Sequence, residues 1–315
     1  LTAGRVLVTG AGGFIGRWSV PALRAAGFDV HAVVSNAQRG EVPAQLAGAT
    51  LHRCDLLEPA AIDALIESTA PSHLLHFAWV TRPGVYWHSA DNARWLRSSE
   101  HLLQGFHAAG GTRVVMAGSC AEYDATAGIC DEYSSPLADE TAPGTPAYSA
   151  CKLRLQRMLA EFSAERGLPS AWGRIFFQYG PFEHPDRLVP SVVRSLLRNE
   201  EALCSHGRQI RSFLHVADVG SAFAALVSAQ VTGPVNVGSD QALSIAELIG
   251  RIADQIGRPE LVRLGARAAS AEAPLLVPVT RRLREETAWR PLFSLDEGLA
   301  DVIAWWRAEL ARAAA

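Results

Sequence analysis

The chain has 315 residues, 49% of them hydrophobic and 19% charged, with a formal net charge of −3. Its length exceeds one typical domain, and its apolar share suffices for a large core, so two lobes are expected. The near-neutral charge gives no electrostatic basis for binding nucleic acid or an anionic membrane, and no apolar run reaches the roughly 18 residues of a membrane span. The five cysteines, Cys54, Cys120, Cys130, Cys151 and Cys204, are scattered and form no CxxC. With no signal-peptide pattern at the first residues, they suit reduced thiols in a cytoplasm.

Short strands rich in β-branched residues are predicted at 5–9, 29–34, 73–78, 113–118 and 170–176, with helices near 14–26, 58–67, 92–109 and 146–166. Such alternation specifies an α/β fold, a Rossmann-type doubly wound parallel sheet with ligands beyond the carboxyl ends of its strands. Past Tyr179-Gly-Pro181, a turn signal, the pattern changes. Helices are predicted near 187–199, 218–228, 244–256 and 295–312, and short strands near 210–214 and 235–237. The expected division is a dinucleotide-binding domain over 1–176 and a smaller α/β C-terminal substrate lobe over 177–315. Part of about 207–240 is expected to return to the main sheet. Gly257-Arg-Pro259 and the stretch 265–273 read as loops.

Two motifs carry chemistry. Arg5-Val-Leu-Val-Thr-Gly-Ala-Gly-Gly-Phe-Ile-Gly16 reads as a strand, a glycine-rich turn and a helix start. Gly10 permits the tight turn, Gly13 lets backbone approach a pyrophosphate, and Gly16 lets the helix pack on the sheet. The helix start offers unpaired N–H groups and a positive dipole end to phosphates. Far downstream stands Tyr148-Ser-Ala-Cys-Lys152, with Ser119 between the two motifs. In this order they point to a nicotinamide enzyme. His73 and His76 are three apart on a strand and face opposite sides, so no metal site is expected.

These motifs resemble the extended short-chain dehydrogenase/reductase family of nucleotide-sugar epimerases, dehydratases and ketoreductases, over nearly the whole chain. Gly10, Gly12, Gly13, Phe14, Ile15 and Gly16 resemble its cofactor loop. Asp55 and Leu56 resemble the pair at the adenine. Phe77, Ala78 and Trp79 resemble the strand end beneath the nicotinamide ribose, and Asn92 the asparagine opening the next helix. Gly118-Ser-Cys-Ala-Glu-Tyr123 resembles the segment with the catalytic Ser/Thr, and Tyr148 with Lys152 the YxxxK pair. Arg174-Ile-Phe-Phe-Gln-Tyr-Gly-Pro181 is similar to the substrate-lobe entry, with Phe177 where the family often has Asn. Arg187-Leu-Val-Pro190, the run from Gln209 to Asp218, Asn236-Val-Gly238 and residues 283–306 also match. The resemblance implies a nucleotide-sugar substrate and a homodimer through helices near 92–109 and 146–166.

Hydride transfer at a sugar carbon needs a proton partner on the attached oxygen. A free phenol has a pKa near 10, so Lys152, one turn from Tyr148, and an oxidised nicotinamide are expected to lower it. Tyr148 is then the acid/base, Lys152 the tuner that also holds the cofactor ribose, and Ser119 the orienter. An NAD site usually ends its second strand in an acid; here Val34-Ser35-Asn36 follows. Ser35, Arg17 and Arg39 are placed to surround a 2′-phosphate, which favours NADP and leaves NAD open. Dehydratases of the family place an Asp-Glu pair directly after the catalytic Ser/Thr. Here those positions are Cys120 and Ala121, and Glu122 is one place off. The expected reaction is 4-ketoreduction of an NDP-4-keto-6-deoxysugar. The alternatives are NAD-dependent nucleotide-sugar 4-epimerisation and, from another class, a non-catalytic dinucleotide sensor, which typically lacks the Ser/Tyr/Lys set. Arg211 is the candidate for the substrate diphosphate. Arg187 and Arg267 are further candidates, each equally readable as a surface arginine. Thr81, with Trp79, Tyr86 and Trp87, is placed to shape the sugar pocket.

Overall fold

The computed structural model describes residues 3–36, 42–268 and 272–314. In chain order the first stretch comprises β1 (Arg5–Thr9), α1 (Gly16–Ala25), β2 (Asp29–Val34), β3 (Thr50–Arg53), α2 (Pro59–Thr69), β4 (His73–His76), α3 (Asp91–Ala108) and β5 (Arg113–Ser119). Next come β6 (Gly128–Cys130), α4 (Ala147–Arg166), β7 (Ser170–Ile175), β8 (Phe177–Tyr179), α5 (Leu188–Leu197), β9 (Ala202–Leu203), β10 (Ile210–His215) and α6 (Val216–Ser228). The last are β11 (Gly233–Val237), β12 (Ala242–Ser244), α7 (Ile245–Ile256), β13 (Val262–Arg263), β14 (Leu275–Pro278), α8 (Arg281–Thr287) and α9 (Leu295–Ala314).

Seven strands form one parallel sheet in the order β11-β7-β5-β4-β1-β2-β3. The order reverses between β1 and β4, which opens the crevice where such sheets bind ligands. Alternation along β1 shows why both faces are covered. Val6 and Val8 pack with Val20 and Leu23 of α1 and Phe223 of α6, while Leu7 packs with Leu65 of α2, Leu102 of α3 and Leu155 of α4. β3 was not expected, for a physical reason. It is an edge strand with Thr50, Leu51 and Arg53 exposed, so it carries no buried apolar run.

The remaining core belongs to a smaller unit. β12, β10, β14 and β6 line up in a second sheet, with β8 alongside β10. α5, α7 and α9 cover it through Val193, Leu196, Leu248, Ile252, Leu299 and Ile303. Within the stretch 207–240, β11 pairs with β7 in the main sheet and β10 lies in the second one. α7 starts with a reciprocal Ser244–Glu247 capping box and stops at Gly257, whose φ is +80°. Pro259, the last residue of the expected loop, then opens a single 3-10 turn to Leu261.

Candidate active site

The glycine turn packs directly on the end of β4. Gly10 has φ +67°, and a Cβ there would lie 2.8 Å from the Ala78 amide nitrogen. A Cβ on Gly16 would run into the Gly10 carbonyl. α1 begins without a side-chain cap, so its first amides face the turn. This cradle, formed at the switch point with Gly13 exposed, fits a dinucleotide diphosphate. Arg17, expected beside a 2′-phosphate, turns back onto the glycine loop. Its guanidinium donates to the Gly12 carbonyl at 2.7 Å and the Gly13 carbonyl at 3.0 Å, and lies 4.4 Å from the Phe182 ring centre. Ser35 is exposed just past β2, and Arg39 lies outside the described residues. Asp55 is exposed and accepts the Leu57 amide at 3.0 Å, while Leu56 is buried.

The strand end beyond β4 is held from two sides. Thr9 Oγ1 bonds His76 Nδ1 at 2.7 Å, and His76 Nε2 bonds Ser99 Oγ at 2.9 Å. Burial, and then the Lys152 charge, push the His76 pKa down to about 3, so its ring is a neutral strut. Asn92 is fully buried. It accepts the Trp79 indole N–H at 2.8 Å and donates to the carbonyls of Tyr86 and Ser89 at 2.7 and 2.9 Å. Asn92 thereby fixes the whole 79–90 loop, which carries exposed Thr81 and half-buried Tyr86.

Ser119, Tyr148 and Lys152 converge at the end of β5. The Ser119 hydroxyl lies near enough to the Tyr148 phenol to favour its ionised form. Tyr86 and Trp87 stack edge-on against the Tyr148 ring at 4.9 and 5.7 Å between centres. Lys152 is buried, donates to the Ala117 carbonyl at 2.9 Å and sits 4.0 Å from the Trp79 ring centre. Burial drives its pKa down to about 7, against the opposing pull of the Glu122 charge. The phenol is shifted up, not down, so Lys152 alone does not produce the lowering expected of it together with an oxidised nicotinamide. Burial dominates, and the neighbouring Ser119 hydroxyl only partly offsets it. Lys152 stands 6.0 Å from the ring centre with its own charge disfavoured, so it cannot reverse that. One compositional signal sharpens the lysine's role. Among 29 Lys and Arg residues, Lys152 is the single lysine.

On the substrate side, Arg211 is only 2% exposed. Its Nη2 donates to Glu272 at 3.3 Å and to the Ala273 carbonyl at 2.7 Å, and Phe177 lies under it at 5.1 Å. The arginine expected to meet a diphosphate already has a carboxylate partner. Its charge still reaches Cys120, beside Ser119, whose thiol burial pushes up to about 12. Arg187 is exposed and 5.7 Å from the Tyr86 ring, whereas Arg267 is exposed in the loop over Cys204. Sequence reasoning placed Glu122 only as an acid one position off and did not single out Glu183; both are buried. Glu122 lies beneath Ser119, and Glu183 precedes Arg187 with one oxygen unpartnered among the described residues. Burial raises Glu183 to about 8. Among the described residues, no cluster of three His, Cys, Asp or Glu could hold a metal, and no helix could cross a membrane.

A doubly wound sheet with this cradle and a Ser/Tyr/Lys cluster at its switch point defines a nicotinamide-dependent enzyme. The chain belongs to the NAD dependent epimerase/dehydratase family, whose sequence pattern matches residues 6–238. A 3-diazoavenalumate denitrifying reductase from Streptomyces sp is 31% identical over 81% of this chain and 82% of its own. The dTDP-4-dehydro-6-deoxy-D-allose reductase of Streptomyces bikiniensis is 30% identical over 97% of each chain. Among solved structures, MoeE5 in complex with UDP-glucuronic acid and NAD is 29% identical. It superposes with a TM-score of 0.77 over 97% of this chain and all of its own.

Proposed function

We propose that the protein is an NADPH-dependent ketoreductase of an NDP-4-keto-6-deoxysugar. The observation that carries this reading is the convergence of Ser119, Tyr148 and Lys152, with Cys120 and Ala121 where elimination would need acids. The reading also draws on the full-length likeness to a nucleotide-sugar reductase. Gly10, Gly12, Gly13 and the start of α1 would hold the dinucleotide diphosphate, with Phe77, Ala78 and Trp79 beneath its ribose. Bound there, the dinucleotide supplies a hydride to the keto carbon. Ser119 orients the keto oxygen by hydrogen bonding, and Tyr148 gives that oxygen its hydroxyl proton as charge develops. A phenol held protonated by burial is the form this direction consumes. Lys152, 6.0 Å from the Tyr148 ring centre, would tune the phenol and hold the ribose.

Arg211 and Arg187 would meet the substrate diphosphate, which places Glu272 in competition with it. No carboxylate follows β2 at Ser35 and Asn36, which favours a 2′-phosphate. The 4-epimerase reading gains support from the neighbour that holds NAD with a UDP-sugar. The deciding experiment offers the purified protein NADPH, or NADH, with dTDP-4-keto-6-deoxyglucose and follows absorbance at the nicotinamide band. Net oxidation of NADPH is expected. Interconversion of UDP-sugars without net oxidation would overturn the reductase in favour of the epimerase.

A further inference from the structure

Glu122 has no place in the proton transfer just described, yet it is one of the most completely bonded side chains in the molecule. It is fully buried, as is Arg174 at 1% exposure. One carboxylate oxygen accepts the Ser119 amide at 2.7 Å. The Trp172 indole N–H reaches both oxygens, at 3.1 and 2.9 Å, and Arg174 Nε donates to the second at 2.8 Å. In return, Ser119 Oγ accepts the Ala121 amide, so the two residues cap the 3-10 turn 120–122 reciprocally. A Cβ on Gly118 would sit 2.6 Å from the carboxylate, which shows how tightly it is pressed under the strand end.

We propose that Glu122 is a positioning residue: with Arg174 behind it, its carboxylate fixes Ser119 and sets the charge beneath the Tyr148–Lys152 pair. The inference rests on the reading of Ser119 given above. Energetics favour a functional origin. Burying an ion pair costs several kcal/mol per ion, and apolar residues of similar volume often serve stability equally well. A surface cap would also have ended β5 without a charge in the core. Its inward aim removes Glu122 from the substrate, so it cannot be the acid of an elimination.

The charge of Glu122 works on both partners in α4. It favours the protonated form of Lys152 and of Tyr148. The other groups facing that pair are Cys120, Tyr86, Cys151 and His76. Arg174 faces Glu122 from β7 and is tied onward to the Tyr123 hydroxyl and the Glu132 carbonyl. Tyr123 in turn donates to Asn236, whose amide donates to the Glu132 carboxylate. The serine is thus braced through β7 and β11 to the end of β6, whose Cys130 carbonyl accepts from the Asn236 side chain.

The single lysine provides a reporter that needs no substrate. In protein labelled with isotopic lysine, Lys152 gives one NMR signal whose pH midpoint can be followed. Glu122→Gln removes the charge while keeping the shape, and the midpoint is expected to fall by about one pH unit. In reduction of dTDP-4-keto-6-deoxyglucose, kcat is expected to fall at least tenfold with KM within twofold, as in Ser119→Ala measured alongside. Should Glu122→Gln fail to fold, Glu122→Leu with Arg174→Met removes the pair as a unit and is read in the same way. An unmoved lysine midpoint in folded variant protein overturns the inference whatever the rates. So does an unchanged kcat where Ser119→Ala is impaired. A fully active Ser119→Ala instead overturns the reading of Ser119, and leaves the lysine midpoint to decide whether Glu122 sets the charge.

Discussion

The two sheets solve different problems in different ways. In the seven-stranded sheet each candidate site residue stands at a strand end or on a helix that packs there: Gly10 after β1, Trp79 beyond β4, Ser119 closing β5, Tyr148 and Lys152 on α4. Neighbours in sequence supply most of the positions. The smaller sheet is stitched from β6, β8, β10, β12 and β14, strands of three to six residues taken from stretches far apart. Its principal cation, Arg211, is already paired with Glu272. The contrast teaches that the chemical step rides on rigid, local geometry. On the proposed reading, the substrate side is assembled from long-range contacts, and Arg211 would have to exchange Glu272 for the diphosphate.

The largest expected effect lies on the rigid side. Tyr148→Phe should lower turnover about 10²–10⁴-fold while dinucleotide affinity, measured by fluorescence titration, stays nearly unchanged. Equal losses in both would place the phenol in the packing of the cradle and erase the distinction between the sheets. Lys152→Met should harm rate and affinity together, yet stabilise the protein without ligand below neutral pH. Its ammonium ordinarily titrates at 10.5 and in the fold at about 7. The penalty on the folded cation is therefore complete below pH 7 and fades as pH rises from there to 10.5. The gain at pH 6 has a ceiling of about 5 kcal/mol, reduced by loss of the bond to Ala117. Denaturant melts at pH 6 and pH 10 would test it, and a variant less stable at pH 6 would contradict the burial argument.

What the sequence made legible follows the same divide. The β1 run and the Tyr148–Lys152 spacing announce themselves because their periodicity is local. Glu122 was read only as an acid one place off, since its partners Trp172 and Arg174 lie some 50 residues away and meet it only through the parallel pairing of β5 with β7. Arg211 was read as free for phosphate because Glu272 is 61 residues away and approaches it only through the β10–β14 pairing. The upward shift of the Tyr148 phenol also escaped, because desolvation depends on what the 79–90 loop and β5 pack around it.

Glu183 tests the smaller unit. Its carboxyl normally titrates at 4.5 and here at about 8, so the folded state prefers the proton. Stability from this group is whole below pH 4.5 and lost progressively up to pH 8. Glu183→Gln should therefore match the parent near pH 4 and exceed it above pH 8, by a few kcal/mol at most, with a ceiling of about 5 kcal/mol. Thermal melts across that range would show the two curves separating upward. Parallel curves would mean that Arg187 and the backbone amide satisfy the charge after all.

The smallest effect decides how the two arginines of the cofactor side differ. Arg17 spends its donors on the Gly12 and Gly13 carbonyls and its face on Phe182. Its loss would loosen the loop proposed to hold the diphosphate, a feature shared by both dinucleotides. Arg17→Ala should then weaken NADH and NADPH alike, by about 1 kcal/mol. Arg39 follows a strand that ends without an acid, and its proposed partner is the 2′-phosphate alone. Arg39→Ala should weaken NADPH by about 1.5–3 kcal/mol and leave NADH little changed. Titrating the parent and both variants with both dinucleotides separates the roles. A parent that holds NADH more tightly than NADPH would remove the reason for assigning Arg39 to a phosphate. It would also turn the balance toward the epimerase, whose hydride returns to its substrate and needs no exchangeable reductant.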